Sequence, residues 1–251
     1  MDVRLLGSGG WVRSPSRETC CLYAREGDEL LLIDAGTGLS RLVTEPALVE
    51  GVRRLTVVLT HFHVDHTMGL AWLFELERIE RRELYGPGGV VGARSIDLLH
   101  RMLDPPLLLR EAGAVEKLFA EVHDVGGDER LELGSFVVET RVQKGHTTPT
   151  LAYRINGQLV YCTDTAYDEG NAEFARGARV LLHEAFYAAE ESEDEIHSGA
   201  GEAARIAAAA NVDRLVLIHL PPWVDEDELL RIARGHFPAA ELGRDGPLAL
   251  D

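Results

Sequence analysis

Only three of the 251 residues are cysteine, Cys20, Cys21 and Cys162, and the adjacent pair Cys20–Cys21 is poorly placed to bridge to itself. That sparse, odd set excludes a disulfide framework and points to a reducing compartment. No run approaches the ~18 consecutive apolar residues of a membrane helix, so no span is expected. The opening Met-Asp-Val-Arg enters a strand-like run without the charged and apolar blocks of a signal peptide, and a cytoplasmic location is expected. Positive charge is short as well: 25 Lys and Arg face 42 Asp and Glu, a formal net charge of −17. Such a field repels polyanions at long range and counts against broad nucleic-acid binding, although bound divalent cations can invert it within one cleft. Internal repeats, low-complexity tracts and Ser/Pro linkers are also missing.

What is present is an ordinary globular composition, 45% hydrophobic and 27% charged, in a chain long enough to fold without a staple. One domain spanning 1–251 is the expectation. Short β-type runs recur at Val3–Leu6, Thr19–Tyr23, Glu29–Asp34, Leu55–Leu59, Phe136–Val142, Leu151–Ile155, Gln158–Cys162, Val180–Leu182 and Arg214–Ile218. Helical patterns lie at Leu39–Val49, Gly69–Arg78, Val90–Met102, Glu202–Ala210 and Glu226–Arg234. The early strands come in close pairs and predict largely antiparallel hairpins, with Asn156-Gly157 the clearest turn. Strand and helix alternate later, which suits an α/β arrangement of two mixed sheets packed face to face with helices outside. Asp104-Pro105-Pro106 breaks a helix and leaves 103–116 as a loop or a covering helix.

Five segments deliver His or Asp just where an apolar strand ends. Leu31-Leu32-Ile33 delivers Asp34 and then a Gly-rich turn. Leu59-Thr60 delivers His61-Phe62-His63-Val64-Asp65-His66, in which His61 and His63 share one side of extended backbone and Asp65 and His66 follow at a helix entrance. Gly145-His146, Cys162-Thr163-Asp164 and Ile218-His219 complete the set. Neutral imidazole and carboxylate suit zinc or another first-row divalent ion such as manganese or iron, and no thiolate lies nearby in sequence.

Taken in order, Asp34, His-x-His-x-Asp-His, His146, Asp164 and His219 resemble the metallo-β-lactamase superfamily from Leu5 to His219. The resemblance implies a four-layer αββα sandwich with its ligands at one edge. It implies that His61, His63 and His146 hold one metal and Asp65, His66 and His219 another. By the same resemblance Asp164 would bridge the two, and Asp34 would support the ligands without touching metal. Two such ions about 3.5–4 Å apart share a water, lower its pKa and stabilise an in-line displacement, which makes the expected reaction a hydrolysis.

Leu5-Leu6-Gly7-Ser8-Gly9-Gly10 is similar to the opening of the branch that holds ribonuclease Z and the cyclic-phosphate phosphodiesterases. Leu182-His183-Glu184-Ala185 and His197-Ser198 are similar to two further segments of that branch. There a Glu orients a His that contacts the scissile phosphate; the matching pair is Glu184 and His197, with Asp65 available to take the nucleophile's proton. Gly7–Gly10 reads equally as a tight turn or as backbone N–H groups offered to a phosphate. Ribonuclease Z commonly carries a tRNA-gripping arm between the third and fourth metal motifs, whereas here only seventeen residues separate His146 from Asp164. That departure favours a small phosphodiester, such as a cyclic nucleotide or cyclic ribose phosphate, over precursor tRNA. The tail His219-Leu220-Pro221-Pro222-Trp223 looks like that of cyclic-nucleotide relatives, and the branch implies a homodimer. A thioester or lactone hydrolase of the glyoxalase type is the principal rival. His100, His123, His183 and His236 read as packed or surface histidines, Cys162 as core, and Glu190–Glu195 as a solvated acidic loop.

Overall fold

Strands buried on both faces read as unbroken apolar runs, and Leu30-Leu31-Leu32-Ile33 shows what such a run produces. Leu30 and Leu32 pack on one side among Leu39, Leu42 and Leu55, while Leu31 and Ile33 pack on the other among Phe136, Tyr153 and Val216. In the computed structural model, which describes residues 1–106 and 113–250, this two-sided burial builds four layers. The first sheet contains β1 (Asp2–Gly7), β2 (Cys21–Glu26), β3 (Glu29–Ile33), β4 (Arg54–Val58), β5 (Arg81–Gly86) and β6 (Glu121–Asp124). The second contains β7 (Arg130–Leu133), β8 (Phe136–Gln143), β9 (Thr150–Ile155), β10 (Leu159–Cys162), β11 (Val180–Glu184), β12 (Arg214–Ile218) and β13 (Ala240–Leu242). A last strand, β14 (Gly246–Pro247), returns to the first sheet beside β1.

Each sheet is mixed. β1, β2 and β3 are antiparallel, but β3 through β6 pair in parallel, so the expected early hairpins stop at β3. The reason is in the connections: parallel neighbours need a crossover, and 34–53 and 59–80 supply it with helical turns. The second sheet repeats the arrangement, antiparallel from β7 to β10 and parallel from β10 to β13.

The helices are α1 (Ser40–Thr44), α2 (Val64–Thr67), α3 (Gly88–Val91), α4 (Ser95–Leu103), α5 (Ala114–Leu118), α6 (Glu169–Ala175), α7 (Ala200–Ala210) and α8 (Glu226–His236). Three sequence-predicted helices are shorter or tighter than expected. Leu39–Val49 breaks before Pro46, Gly69–Arg78 is 3-10 over Met68–Leu76, and Val90–Met102 divides at Gly92, whose φ of +71° ends α3. The expectation for 103–116 falls partly outside the described residues: α4 ends at Leu103 and α5 begins at Ala114. In α7 the small side chains of Ala200, Ala203, Ala204 and Ala207 let the helix lie close on the second sheet. No helix among the described residues is long and apolar enough to cross a membrane.

This architecture sends the carboxyl ends of β3, β4, β8, β10, β11 and β12 to one edge. The two sheets are tied there, since Leu151 N–H donates to Thr60 O at 3.0 Å and the Tyr153 hydroxyl to Leu59 O at 2.8 Å.

Candidate metal centre

The edge gathers all seven candidate ligands, although they come from four segments spread over residues 61–219. β4 runs on through Thr60 to His61 and His63, and α2 then turns Asp65 and His66 inward. His146 follows β8, Asp164 follows β10 and His219 follows β12. Asp34, Asp164 and His219 leave their strands in left-handed backbone, at φ of +62°, +52° and +56°, which aims each side chain away from its strand's face. Non-glycine residues held there cluster at functional sites.

Donor atoms of His61, His63, His146 and Asp164 lie within 4.8 Å of one another. Asp164 Oδ1 is 3.8 Å from His61 Nε2 and 3.6 Å from His146 Nε2, and the latter is 3.2 Å from His63 Nδ1. The second oxygen faces the other group: Asp164 Oδ2 is 3.1 Å from His66 Nε2 and 3.5 Å from His219 Nε2, and Asp65 Oδ2 is 3.4 Å from each of those nitrogens. Donors held about 2.0–2.2 Å from one zinc-sized ion sit roughly 3.0–3.5 Å apart, so the spacings fit two ions sharing Asp164.

Unsatisfied atoms support the same fit. His61 Nε2 and His66 Nε2 are buried without a hydrogen-bond partner, which is costly unless an ion takes the lone pair. Burial pushes His61 and His63 below the usual imidazole range, leaving neutral rings. Burial opposes ionisation of Asp65 and Asp164, yet the charges of His66 and His219 hold both well below the usual carboxylate range. Buried carboxylates that stay ionised only beside positive charge, next to the neutral rings of His61 and His63, are a donor set suited to bound cations.

The opposite side of most rings is tied down, as ligand orientation requires. Asp34, fully buried, receives His66 Nδ1–H at 2.7 Å and the Thr60 hydroxyl at 3.0 Å, and Thr60 in turn meets His61 Nδ1 at 3.0 Å. His146 Nδ1–H donates to Ile196 O at 3.0 Å, and Thr147 contacts His63 Nε2 at 3.3 Å. Asp34→Asn is therefore expected to weaken metal binding about 10–100-fold, read by competition with a chelator of known affinity.

Glu184 and His197 meet beside this set. Glu184 Oε2 accepts His197 Nδ1–H at 2.9 Å and lies 3.7 Å from His219 Nδ1, while Oε1 accepts the Thr165 N–H. Burial lowers the His197 pKa, but the Glu184 charge and hydrogen bond outweigh it and the net shift is upward. Phe186 stacks on His197 at 4.3 Å between centroids, and Asp194 accepts the N–H groups of Ile196 and His197, both at 2.9 Å. Asp194 thus has a positioning task within the run read as a solvated loop.

The Gly-rich opening proves to be a packing device. Gly9 N–H donates to Glu18 O, Gly10 N–H to Leu220 O and Ser8 N–H to Asp245, while Trp11 N–H donates to Asp65 Oδ2 at 2.9 Å. Those groups are committed within the protein, which removes the reading of a phosphate cradle. A side chain at Gly10 would come within 2.6 Å of the His219 ring, so glycine is what lets this loop back the ligand. Sequence reasoning missed Thr60, Phe186, Trp11 and also Cys20, whose buried thiol comes within 4.8 Å of donor atoms of His66 and His219. Apart from Thr60 meeting its neighbour His61, these contacts join residues distant in sequence, and no local spacing announces them.

Comparison with known proteins agrees with this geometry. A family model described as Beta-lactamase superfamily domain matches residues 30–220. Ribonuclease Z of Methanopyrus kandleri is 32% identical over 286 aligned residues, covering 97% of this chain and 95% of that protein. Since the alignment is longer than this chain, the relative carries stretches that are missing here. The metallo-β-lactamase fold protein YhfI of Bacillus subtilis shares the fold with a TM-score of 0.78 at 23% identity, over 98% of this chain and 96% of that one. A diphosphatase of the PhnP family does so with a TM-score of 0.74 at 21% identity, over 100% and 98%. The chain belongs to the metallo-β-lactamase superfamily and is a metal-dependent hydrolase similar to ribonuclease Z.

Proposed function

We propose that the protein is a dinuclear phosphodiesterase acting on a small phosphodiester, such as a cyclic nucleotide or cyclic ribose phosphate. The observation that carries this reading is His197, held by buried Glu184 against the open side of the ligand set. His61, His63 and His146 would hold one ion, Asp65, His66 and His219 the other, and Asp164 both, with zinc the first choice for N and O donors. When bound, the ions supply an activated water and neutralise phosphate charge. Asp65, ionised and fixed by the Trp11 N–H, takes the nucleophile's proton. His197, protonated through Glu184, donates to the departing oxygen.

A cavity of about 510 Å³ lies over these residues, within the size range of small-ligand pockets. Among its described lining residues there is no Lys or Arg, which suits one phosphodiester charge better than a polyanion. The residues between His146 and Asp164 are taken up by β9, β10 and their Asn156-Gly157 turn, leaving no room for an arm. Ribonuclease Z-type cleavage of precursor tRNA is the second reading, favoured by the 32% identical relative.

Metal-loaded protein should hydrolyse bis(p-nitrophenyl) phosphate and cyclic AMP faster than precursor tRNA and leave a thioester almost untouched. Brisk thioester cleavage without phosphodiester cleavage would sink this reading. Glu184→Gln removes the charge that raises the His197 pKa, so the alkaline limb of the kcat/KM profile is expected to move to lower pH. A limb that stays in place would remove Glu184 from that role.

A further inference from the structure

The chain has three tryptophans, and two of them are exposed: Trp11 lines the cavity, and Trp223 meets Phe186, which lines it. Trp72 packs against the core, whereas Trp11 is 56% and Trp223 63% exposed. Their loops are bonded to each other: Gly9 bridges Leu220, and Gly10 N–H donates to Leu220 O at 3.1 Å. The same loop pair carries His219 and the N–H that fixes Asp65, so both indoles are positioned by the machinery that positions ligands. Trp11 lines the cavity directly and is held at φ of +62°, a conformation bulky residues rarely adopt. Trp223 meets Phe186 edge-on at 6.1 Å, and Phe186 in turn stacks on His197.

The cavity is therefore two-sided in chemistry. Its floor is the His and Asp set. Its wall is Trp11, Val64, Phe186 and Ile196, with no described Lys or Arg to take a second phosphate. Once a phosphate occupies the floor, what remains beside it is flat and apolar.

We propose that Trp11 and Trp223 form a stacking platform for the nucleobase of a nucleotide-type phosphodiester. This deepens the phosphodiesterase reading and rests on it for the placement of the phosphate. Stacking on an aromatic ring tolerates any base, because each has a π face, so the platform selects nucleosides over base-free esters without selecting one base.

Two esters with the same p-nitrophenolate leaving group test it: thymidine 5′-(p-nitrophenyl phosphate) and methyl p-nitrophenyl phosphate. Wild-type protein should prefer the nucleoside ester, and Trp11→Leu and Trp223→Leu should each lower the ratio of the two kcat/KM values about tenfold, chiefly through KM. AMP should quench the intrinsic tryptophan fluorescence where ribose 5-phosphate does not. A ratio unchanged in both variants overturns the proposal, as does equal quenching by the two ligands. Should wild-type protein cleave neither ester, the phosphodiesterase reading fails and the fluorescence comparison alone decides the platform. If Trp223→Leu dissociates an oligomer in sedimentation while the ratio holds, the rim is a subunit interface and the platform is refuted.

Discussion

Asp164→Asn is expected to lower kcat/KM at least about 10³-fold and to cost the protein one or both metal equivalents. Among the described residues, Asp164 is the one side chain whose two oxygens face different ligand groups, Oδ1 toward His61 and His146 and Oδ2 toward His66 and His219. An amide keeps its shape and, like aspartate, accepts left-handed backbone, so the φ of +52° is retained. What it loses is the negative charge, on a residue only 2% exposed where that charge is barely screened. Metal analysis and initial rates on one preparation, with circular dichroism as the check on folding, decide the matter. Two tightly bound equivalents and near-normal turnover would remove Asp164 from the bridge.

His197→Ala should reduce kcat about 10²–10³-fold and leave the metal content unchanged. The ring lies against the ligand set but is tied to Glu184, 2.9 Å away, and stacked on Phe186. On the proposed reading its removal takes away a proton donor, and it leaves buried Glu184 without that partner. The leaving group separates this role from a merely structural one. Departing p-nitrophenolate needs little protonation, whereas a sugar alkoxide needs a great deal. The loss should therefore be smaller for bis(p-nitrophenyl) phosphate than for cyclic AMP. Equal losses would mean that His197 positions the substrate without donating a proton. No loss at all is what a thioester hydrolase would show.

The layers and the gathering of the candidate ligands at one edge were legible in the sequence because both rest on local pattern. Apolar runs ended by a single His or Asp mark strands whose carboxyl ends meet, and His61, His63, Asp65 and His66 lie within six residues. Two polar strands at one end of the first sheet were not legible: β5 reads Arg-Arg-Glu-Leu-Tyr-Gly and β6 Glu-Val-His-Asp, and the ladder from β4 through β5 to β6 forms only in the tertiary structure. The parallel pairing of β3 with β4 was hidden by weak helical turns in the connection, one of them interrupted at Pro46. At the site, Asp34 was visible as a strand-end carboxylate, but Thr60 passing its restraint on to His61 was not, since a threonine in a β-run signals only a strand. Trp11, Phe186 and Cys20 approach the centre by backbone routes that no spacing rule encodes.

The central claim, two metal ions on seven named side chains, is tested most directly by counting tightly bound metal in wild-type, His61→Ala and His219→Ala proteins after removal of loosely held ions. Two equivalents in the wild type and about one in each variant are predicted, because the two histidines belong to different groups that share only Asp164. Two equivalents persisting in both variants, or a single equivalent in the wild type, would contradict the dinuclear assignment.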